Sequence, residues 1–307
     1  YGNDLTKFDR EFPVSAAVAF MSGEGSVFPT AQVDAWLRLP PASIQGIAVR
    51  HLTDSQEVDS LRKQAIKENS NCPFWLTPGG DAWWIWKLPE LHHEYVVGCD
   101  VGAGGGADYS CIEVLDRHTL EQVAEFYCNK TPPDVLGEQV AEICAIYNNA
   151  FAVIERNADG GTTIKACLDA GHSNMYRRNS GKELKPGQNW IQSFGFVTNE
   201  PSRRDLVTTL IAAVRDCEVA MLSRRFGIEA SSFVYDKKGR ADHKSGKHSD
   251  AHIATGLALF GHGFLSMPKA LPVIRPAATM EPKFEKALAT MRAKAYEPKK
   301  SRRGLGL

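Results

Sequence analysis

The chain has 307 residues, 43% of them hydrophobic and 23% charged, and its 36 Lys+Arg equal its 36 Asp+Glu. This is the composition of a soluble globular protein of one large or two smaller domains, and the zero net charge carries no signal about nucleic acid. No stretch is long and apolar enough to span a bilayer, and no membrane partner is expected. The seven cysteines, Cys72, Cys99, Cys111, Cys128, Cys144, Cys167 and Cys217, form no CxxC pair. Free, mostly buried thiols in a reducing compartment are expected rather than disulfides or zinc. Tyr1 is not a natural start, and the chain is expected to be a piece of a longer protein.

Residues 1–93 read as an accessory lead-in. A short helix is predicted over Ala16–Phe20 behind a Ser15 cap. Another is predicted over Pro29–Leu37 with Thr30 as cap and Pro40-Pro41 closing it. Residues 53–69 are polar with a weak helical period. Trp75, Trp83, Trp84 and Trp86 form an aromatic cluster. Such rings can stack on bases, but the pattern favours a strand packing one face beside a main sheet. No GxxxxGK[ST] occurs, which excludes a phosphate-cradling loop of the ATPase kind.

From residue 94 the pattern becomes strand-like. Tyr95–Cys99 is a predicted buried strand that ends on Asp100. A turn rich in glycine (Gly102, Gly104, Gly105, Gly106) follows, then Asp108, Tyr109 and Ser110. Residues 109–116 alternate, with Ser110, Ile112 and Val114 on one face and Tyr109, Cys111, Glu113 and Leu115 on the other. Residues 119–128 complete an antiparallel meander. The glycines leave room for a nucleic-acid backbone to approach, and because a strand follows them they are not a dinucleotide fingerprint. Residues 134–149 have helical period, with Asp134 as cap. Phe151–Ile154 is a short strand ending on Glu155. A helix over Thr163–Asp169, stopped by Gly171, leads to a further strand at Ser173–Tyr176. Strand–helix–strand units of this length favour parallel pairing. In such sheets the carboxyl ends of strands carry the sites, and Asp100 and Glu155 both fall there. The two acids can simply cap turns at the sheet edge. As hard oxygen ligands they also suit Mg²⁺ or Mn²⁺, and a pair of such ions cleaves phosphodiesters by activating water and stabilising the leaving oxygen.

Residues 177–200 read as a loop or small extension containing Arg177, Arg178, Lys182 and Lys185, basic side chains that either contact phosphates or are simply solvated. Ser202 is the predicted cap of a helix over Arg203–Cys217. Arg203 and Arg204 lie in its first turn, where the dipole disfavours cations; contact with DNA or a salt bridge would resolve the conflict. Glu218–Leu222 reads as a short strand, Ser223 as the cap of a helix running to Ala230, Phe233–Tyr235 as a strand or hairpin arm before a turn at Asp236–Arg240, and Ala241–Lys247 as a charged, glycine-containing loop. Ser249 is the predicted cap of a helix with Ile253, Leu257 and Phe260 on its apolar face. Asp250 sits in the first turn, where the helix end alone favours a carboxylate, and where it can also serve as a third metal ligand. His248 and His252 flank it. Without a third soft ligand at matching spacing they do not make a zinc site, and they are expected to contact phosphate or surround the metal ligands. Residues 266–307 are punctuated by proline, with a helix predicted over Phe284–Ala293. They end in a basic run expected to be flexible and either to bind DNA or a partner or merely to solubilise.

Taken together, FDREFPVSAAVAF, YVVGCDVGAGGGADYSCIEVLD, VIERNADG, NMYRR, GFVTNEPSRRDLV and SSFVYDKKGRADHKSGKHSDAHIATGLAL occur in one order. That set resembles the C-terminal nuclease region of the large terminase subunit of tailed bacteriophages, over residues 5–265. The resemblance implies an α/β, ribonuclease H-like fold with a central mixed β-sheet flanked by helices, occupying 94–265. It implies a divalent-metal-dependent DNA endonuclease that cuts concatemeric viral DNA during genome packaging, with Mg²⁺ or Mn²⁺, two ions, as cofactor. Asp100, Glu155 and Asp250 match the family's catalytic metal-binding acids. Asp108, in the family's aspartate-tyrosine-serine sequence, is placed at the site periphery with His248 and His252. Arg156, Arg178, Arg203, Arg204 and Lys247 are candidates to steer the DNA backbone. The implied partners are double-stranded DNA, the portal protein, the small terminase subunit and an ATPase domain of the same polypeptide, whose motifs are absent here. The implied location is the cytoplasm of the bacterial host. The third motif departs from the family. His248-Ser249-Asp250 stands where the family usually has histidine and two aspartates, and helix-start geometry is compatible with a ligand at either position. The alternatives are another ribonuclease H-like nuclease of the resolvase or transposase kind, and a DNA-binding or motor-docking module with an impaired nuclease.

Overall fold

The computed structural model describes residues 25–42, 44–48, 76–77, 82–178, 190–236, 239–244 and 246–271. The chain divides into two compact units, 1–269 and 270–307, and every element named below lies in the first. The helices predicted over Ala16–Phe20 and Phe284–Ala293, residues 53–69, Trp75, Cys72, Lys182, Lys185 and the basic tail lie outside the described residues.

The predicted meander is present. Strands β4 (Tyr95–Asp100), β5 (Ser110–Asp116) and β6 (Gln122–Cys128) pair antiparallel in succession. Helix α2 (Pro133–Ile146) then carries the chain over to β7 (Phe151–Ile154), which lies parallel to β4 with Val96 opposite Phe151 and Cys99 opposite Ile154. On the other side β3 (Trp83–Ile85) pairs with β6, and β1 (Ile44–Ala48) and β2 (Leu76–Thr77) extend the sheet. The result is a mixed, mostly antiparallel sheet of seven strands in the order β2-β1-β3-β6-β5-β4-β7.

Alternation along the strands serves two cores. Val97, Cys99, Ile112 and Val114 face α2 and α3 (Gly160–Asp169), meeting Leu136, Val140, Ile143 and Ile164. Val96, Cys111, Leu115 and Val153 face the opposite layer. That layer holds α1 (Thr30–Leu37), α4 (Glu200–Arg215), α5 (Arg224–Ala230) and α6 (Asp250–Phe264). The mixed sheet between two helical layers is a ribonuclease H-like α/β fold. Trp83 and Trp84 pack as structural side chains, on opposite faces of β3. Trp83 is buried and donates its indole N–H to Gln139 Oε1 at 3.0 Å. Trp84 lies under the Arg225 guanidinium, 4.1 Å from ring centroid to Cζ.

Helix starts differ from expectation. Pro29 and Pro132 occupy the N-cap positions of α1 and α2, so neither Thr30 nor Asp134 caps. At α4 the cap is Asn199, three residues before the predicted Ser202. Asn199 Oδ1 accepts from Ser202 N at 3.0 Å, and Ser202 Oγ accepts from Asn199 N at 2.8 Å, a reciprocal capping box. Helix α3 starts at Gly160 rather than Thr163. The Ser223 cap of α5 is present, accepting from Arg225 N and Phe226 N. Two predicted strands shrink to single bridges, Met175 to Ala152 and Ala220 to Glu121. In the second case the Gln122 side-chain oxygen takes the Leu222 and Ser223 N–H groups that a ladder would have used. Strands β8 (Phe233–Tyr235) and β9 (Ala241–His243) form a hairpin, so the start of the expected charged loop is instead its second arm. Of the described cysteines, all free, Cys99, Cys111, Cys144 and Cys167 are buried, Cys128 is half-buried and Cys217 is exposed.

Candidate functional site: an acid cluster at the strand ends

Side-chain parity brings the predicted acids together. Along β4, residues 96, 98 and 100 point to the α6 face, as do residues 151, 153 and 155 along β7. The register places Asp100 and Glu155 side by side, with Glu155 N donating to Cys99 O at 2.8 Å. On α6, Asp250 shares a stripe with Ala254, Ala258 and Gly261. That stripe lies on the sheet closely enough that a Cβ added at Gly98 would come 1.9 Å from Ala254 O. The first turn of α6 therefore projects over the strand ends.

Asp100, Glu155 and Asp250 are each half-buried, so the cluster keeps an opening to solvent. Burial pushes the Asp100 carboxyl well above the usual carboxylate range. The neighbouring Glu155, Asp250 and Glu229 carboxyls push the same way. Asp250 is also raised, chiefly by burial. His248 opposes that shift, with its Nδ1 3.3 Å from Asp250 Oδ2, and the exposed Asp108 adds to it. Tyr109 stacks on Tyr127 at 4.4 Å and meets the His248 ring edge at 5.1 Å. Asp108 and His248 thus lie around Asp250.

His252 does not. It sits about 200° round the helix from Asp250, buried among Phe28, Phe226 and Phe233, with Nε2 3.3 Å from Phe226 O. Burial holds it neutral, with a pKa lowered to about 3. Its ring is shut off from solvent, at 1% exposure.

The basic candidates are mostly committed to the protein itself. Arg156 Nη1 donates to Ile191 O and Phe194 O at 3.2 and 3.0 Å, and Arg178 donates to Gln192 O. Arg203 bridges Asp242 at 2.9 Å and Ser249 Oγ at 3.2 Å, and Arg204 lies 3.6 Å from Glu200. The first-turn conflict in α4 is thus resolved by salt bridges. Lys247 is exposed beside His248. At the departing third motif, Ser249 is turned to Arg203, whereas Asp250 acts on Asp100.

One acid in the cluster has no signal in the sequence. Glu229, on α5, is 5% exposed; its oxygens accept from Tyr127 Oη, Ala251 N and His252 N, each at 3.1 Å. Burial, with the Asp250 charge, raises its pKa to about 8. Farther along the same face Glu113, directly opposite Glu125, is likewise raised by burial and by Glu125.

Among the described residues no group of three or more His, Cys, Asp or Glu side chains is gathered into a metal-holding arrangement. Asp100 and Glu155 stand as an acid pair at adjoining strand ends. The donor set is carboxylate oxygen with His248 at its edge, and it fits a hard divalent cation better than zinc or copper.

The raised carboxyls predict a pH signature for the metal-free protein. A group with a folded pKa above its unfolded value binds more protons when folded, so stability falls as pH rises between the two. Glu229, near 8, with Asp100, Asp250 and Glu113, acts in this sense. His252, lowered from 6.5 to about 3, acts oppositely, but only below about 6.5. Thermal melts in EDTA should therefore show the midpoint dropping from pH 6.5 to 8; a midpoint that rises over that interval would contradict the electrostatics.

No protein-family model matches this sequence, and no curated protein matches it. Among solved structures the chain is similar to the large terminase nuclease from thermophilic phage G20c with bound magnesium. That match has 17% identity and a TM-score of 0.47, over 58% of this chain and 87% of that one. Another crystal structure of the G20c nuclease is matched at 18% identity and a TM-score of 0.48, over 76% and 97% of the two chains. The HK97 bacteriophage large terminase is matched at 11% identity and a TM-score of 0.40, over 69% of this chain and 51% of that one. These likenesses are distant and partial.

Proposed function

We propose that this chain is a divalent-metal-dependent DNA endonuclease of the terminase kind, cutting viral DNA during genome packaging. The observation that carries the reading is the placement of Asp100 and Glu155 side by side at the ends of β4 and β7, with the charge of Asp250, at the start of α6, acting on Asp100. Asp100, Glu155 and Asp250 would hold Mg²⁺ or Mn²⁺. A bound ion pair would supply an activated water and stabilise the leaving oxygen of a phosphodiester. Asp100, on which both Glu155 and Asp250 act, would be the shared ligand. Asp250 comes from a helix start packed hard on the sheet, so its carboxyl is held rather than free to swing. Because Asp100 and Asp250 are raised, binding must displace protons, and affinity should climb with pH. Exposed Lys247 and half-buried His248 lie beside the opening and are suited to a phosphate backbone. Double-stranded DNA, a portal, a small terminase subunit and an ATPase domain follow as partners from the same reading, and the host cytoplasm as location.

A second reading, a DNA-binding or docking module with an impaired nuclease, draws on the lack of a gathered ligand group among the described residues. Incubating supercoiled plasmid with the protein in Mn²⁺, Mg²⁺ or EDTA separates the two. Nicking and linearisation with either metal and none in EDTA are expected. DNA retention without cleavage in any metal would favour the second reading.

A further inference from the structure

We infer that Glu229 is a positioning residue: it caps α6 from outside that helix and so sets where Asp250 points. The inference rests on the reading of Asp250 as a working carboxylate.

Ser249 occupies the N-cap position of α6, yet its side chain makes no capping hydrogen bond. Its hydroxyl accepts from Arg203 Nη2 instead. The first-turn donors go elsewhere. Ala251 N donates to Glu229 Oε1 and His252 N to Glu229 Oε2, each at 3.1 Å. Tyr127 Oη donates to Glu229 Oε1 at 3.1 Å and lies 3.5 Å from Asp250 Oδ2. Both Glu229 oxygens are thus engaged by protein donors, which distinguishes this acid from a further metal ligand. A carboxylate facing the unpaired N–H groups of a helix start gains from the dipole and from charge-assisted bonds.

The capping group is itself anchored. One turn earlier on α5, Arg225 pairs with the buried Glu125 of β6 at 2.9 Å and covers Trp84. Tyr127, also on β6, is fixed by its stack on Tyr109. Helix α5 is therefore pinned to the sheet at Arg225 and reaches α6 at Glu229. Asp250 is the first residue of α6, so any roll of that turn moves its carboxyl relative to Asp100. Misplacement of a reacting group by about 1 Å costs about 10²-fold in rate.

The test compares Glu229→Gln with the unchanged protein by plasmid cleavage in Mn²⁺ and by calorimetric titration with Mn²⁺ alone. The amide keeps the size but turns N–H against N–H. Cleavage should fall about 10–100-fold and half-saturating Mn²⁺ should rise by about the same factor, with circular dichroism unchanged. Should Glu229→Gln fail to fold, Tyr127→Phe removes one of the three donors and should shift both readouts the same way by a smaller factor. Unchanged cleavage and Mn²⁺ half-saturation would overturn the inference. So would a loss of cleavage that merely tracks loss of folded protein while half-saturation stays constant. Asp100→Asn, assayed alongside, tests the underlying reading. If it keeps full cleavage, the reading of the site fails; if it is inactive while Glu229→Gln is normal, only the positioning role fails.

Discussion

Asp100→Asn is expected to lower metal-dependent cleavage by at least about 10²–10³-fold, the scale on which a group stabilising charge in a transition state acts, while leaving the fold in place. The substitution keeps the shape of the last β4 residue and removes one negative charge from a cluster in which burial and three neighbouring carboxylates already disfavour ionisation. Without metal, that removal relieves repulsion. The melting midpoint in EDTA at pH 8 should therefore stay level or rise even as cleavage disappears. The opposite movement of stability and activity is the mark of a group held in an unfavourable state for its chemistry. Cleavage at the level of the unchanged protein would exclude Asp100 from the site.

The largest effect on stability is expected at Gly98. An added Cβ there would lie 1.9 Å from Ala254 O and 2.5 Å from Ala258 N, both backbone atoms of α6. A side chain could turn aside, but a helix backbone cannot, so the whole helix must lift from β4. Gly98→Ala should cost about 3 kcal/mol, the upper end of overpacking, read as a shift in the urea midpoint at unchanged slope. Because Asp250 rides on the same helix, residual folded protein should also cleave poorly. Gly105→Ala is the control: no atom lies within 4 Å of its added Cβ, and the change should stay within about 0.5 kcal/mol. Equal stability of the two variants would contradict the close seating of α6 on β4.

Much of this was legible in the chain because it depends on short-range patterning. Strand alternation marks β4 to β6, and the run Phe151–Ile154 marks β7, so two acids at strand ends follow from the period-two rule alone. Asp250 follows from helix polarity. What escaped depends on long-range geometry. Glu229 lies in a short helix and becomes part of the cluster only when α5 docks at the start of α6. His252, two residues from Asp250, looked equivalent to His248, yet helical rotation sends it into the aromatic core. Residue type alone does not tell an arginine that meets phosphate from one held by the protein: Arg156 finds backbone carbonyls at 191 and 194 and Arg203 finds Asp242, partners distant in sequence. Helix starts misread at Thr30, Asp134 and Ser202 share a smaller cause. A neighbouring Pro or Asn took the N-cap position, and propensity alone does not rank adjacent candidates.

The most direct measurement is a crystal structure of the protein soaked in Mn²⁺, read by anomalous scattering. Two peaks about 4 Å apart are expected, one on each side of Asp100, with Glu155 and Asp250 each coordinating at least one. Peaks bound elsewhere, or none at saturating Mn²⁺, would contradict the assignment of these three acids as the metal site.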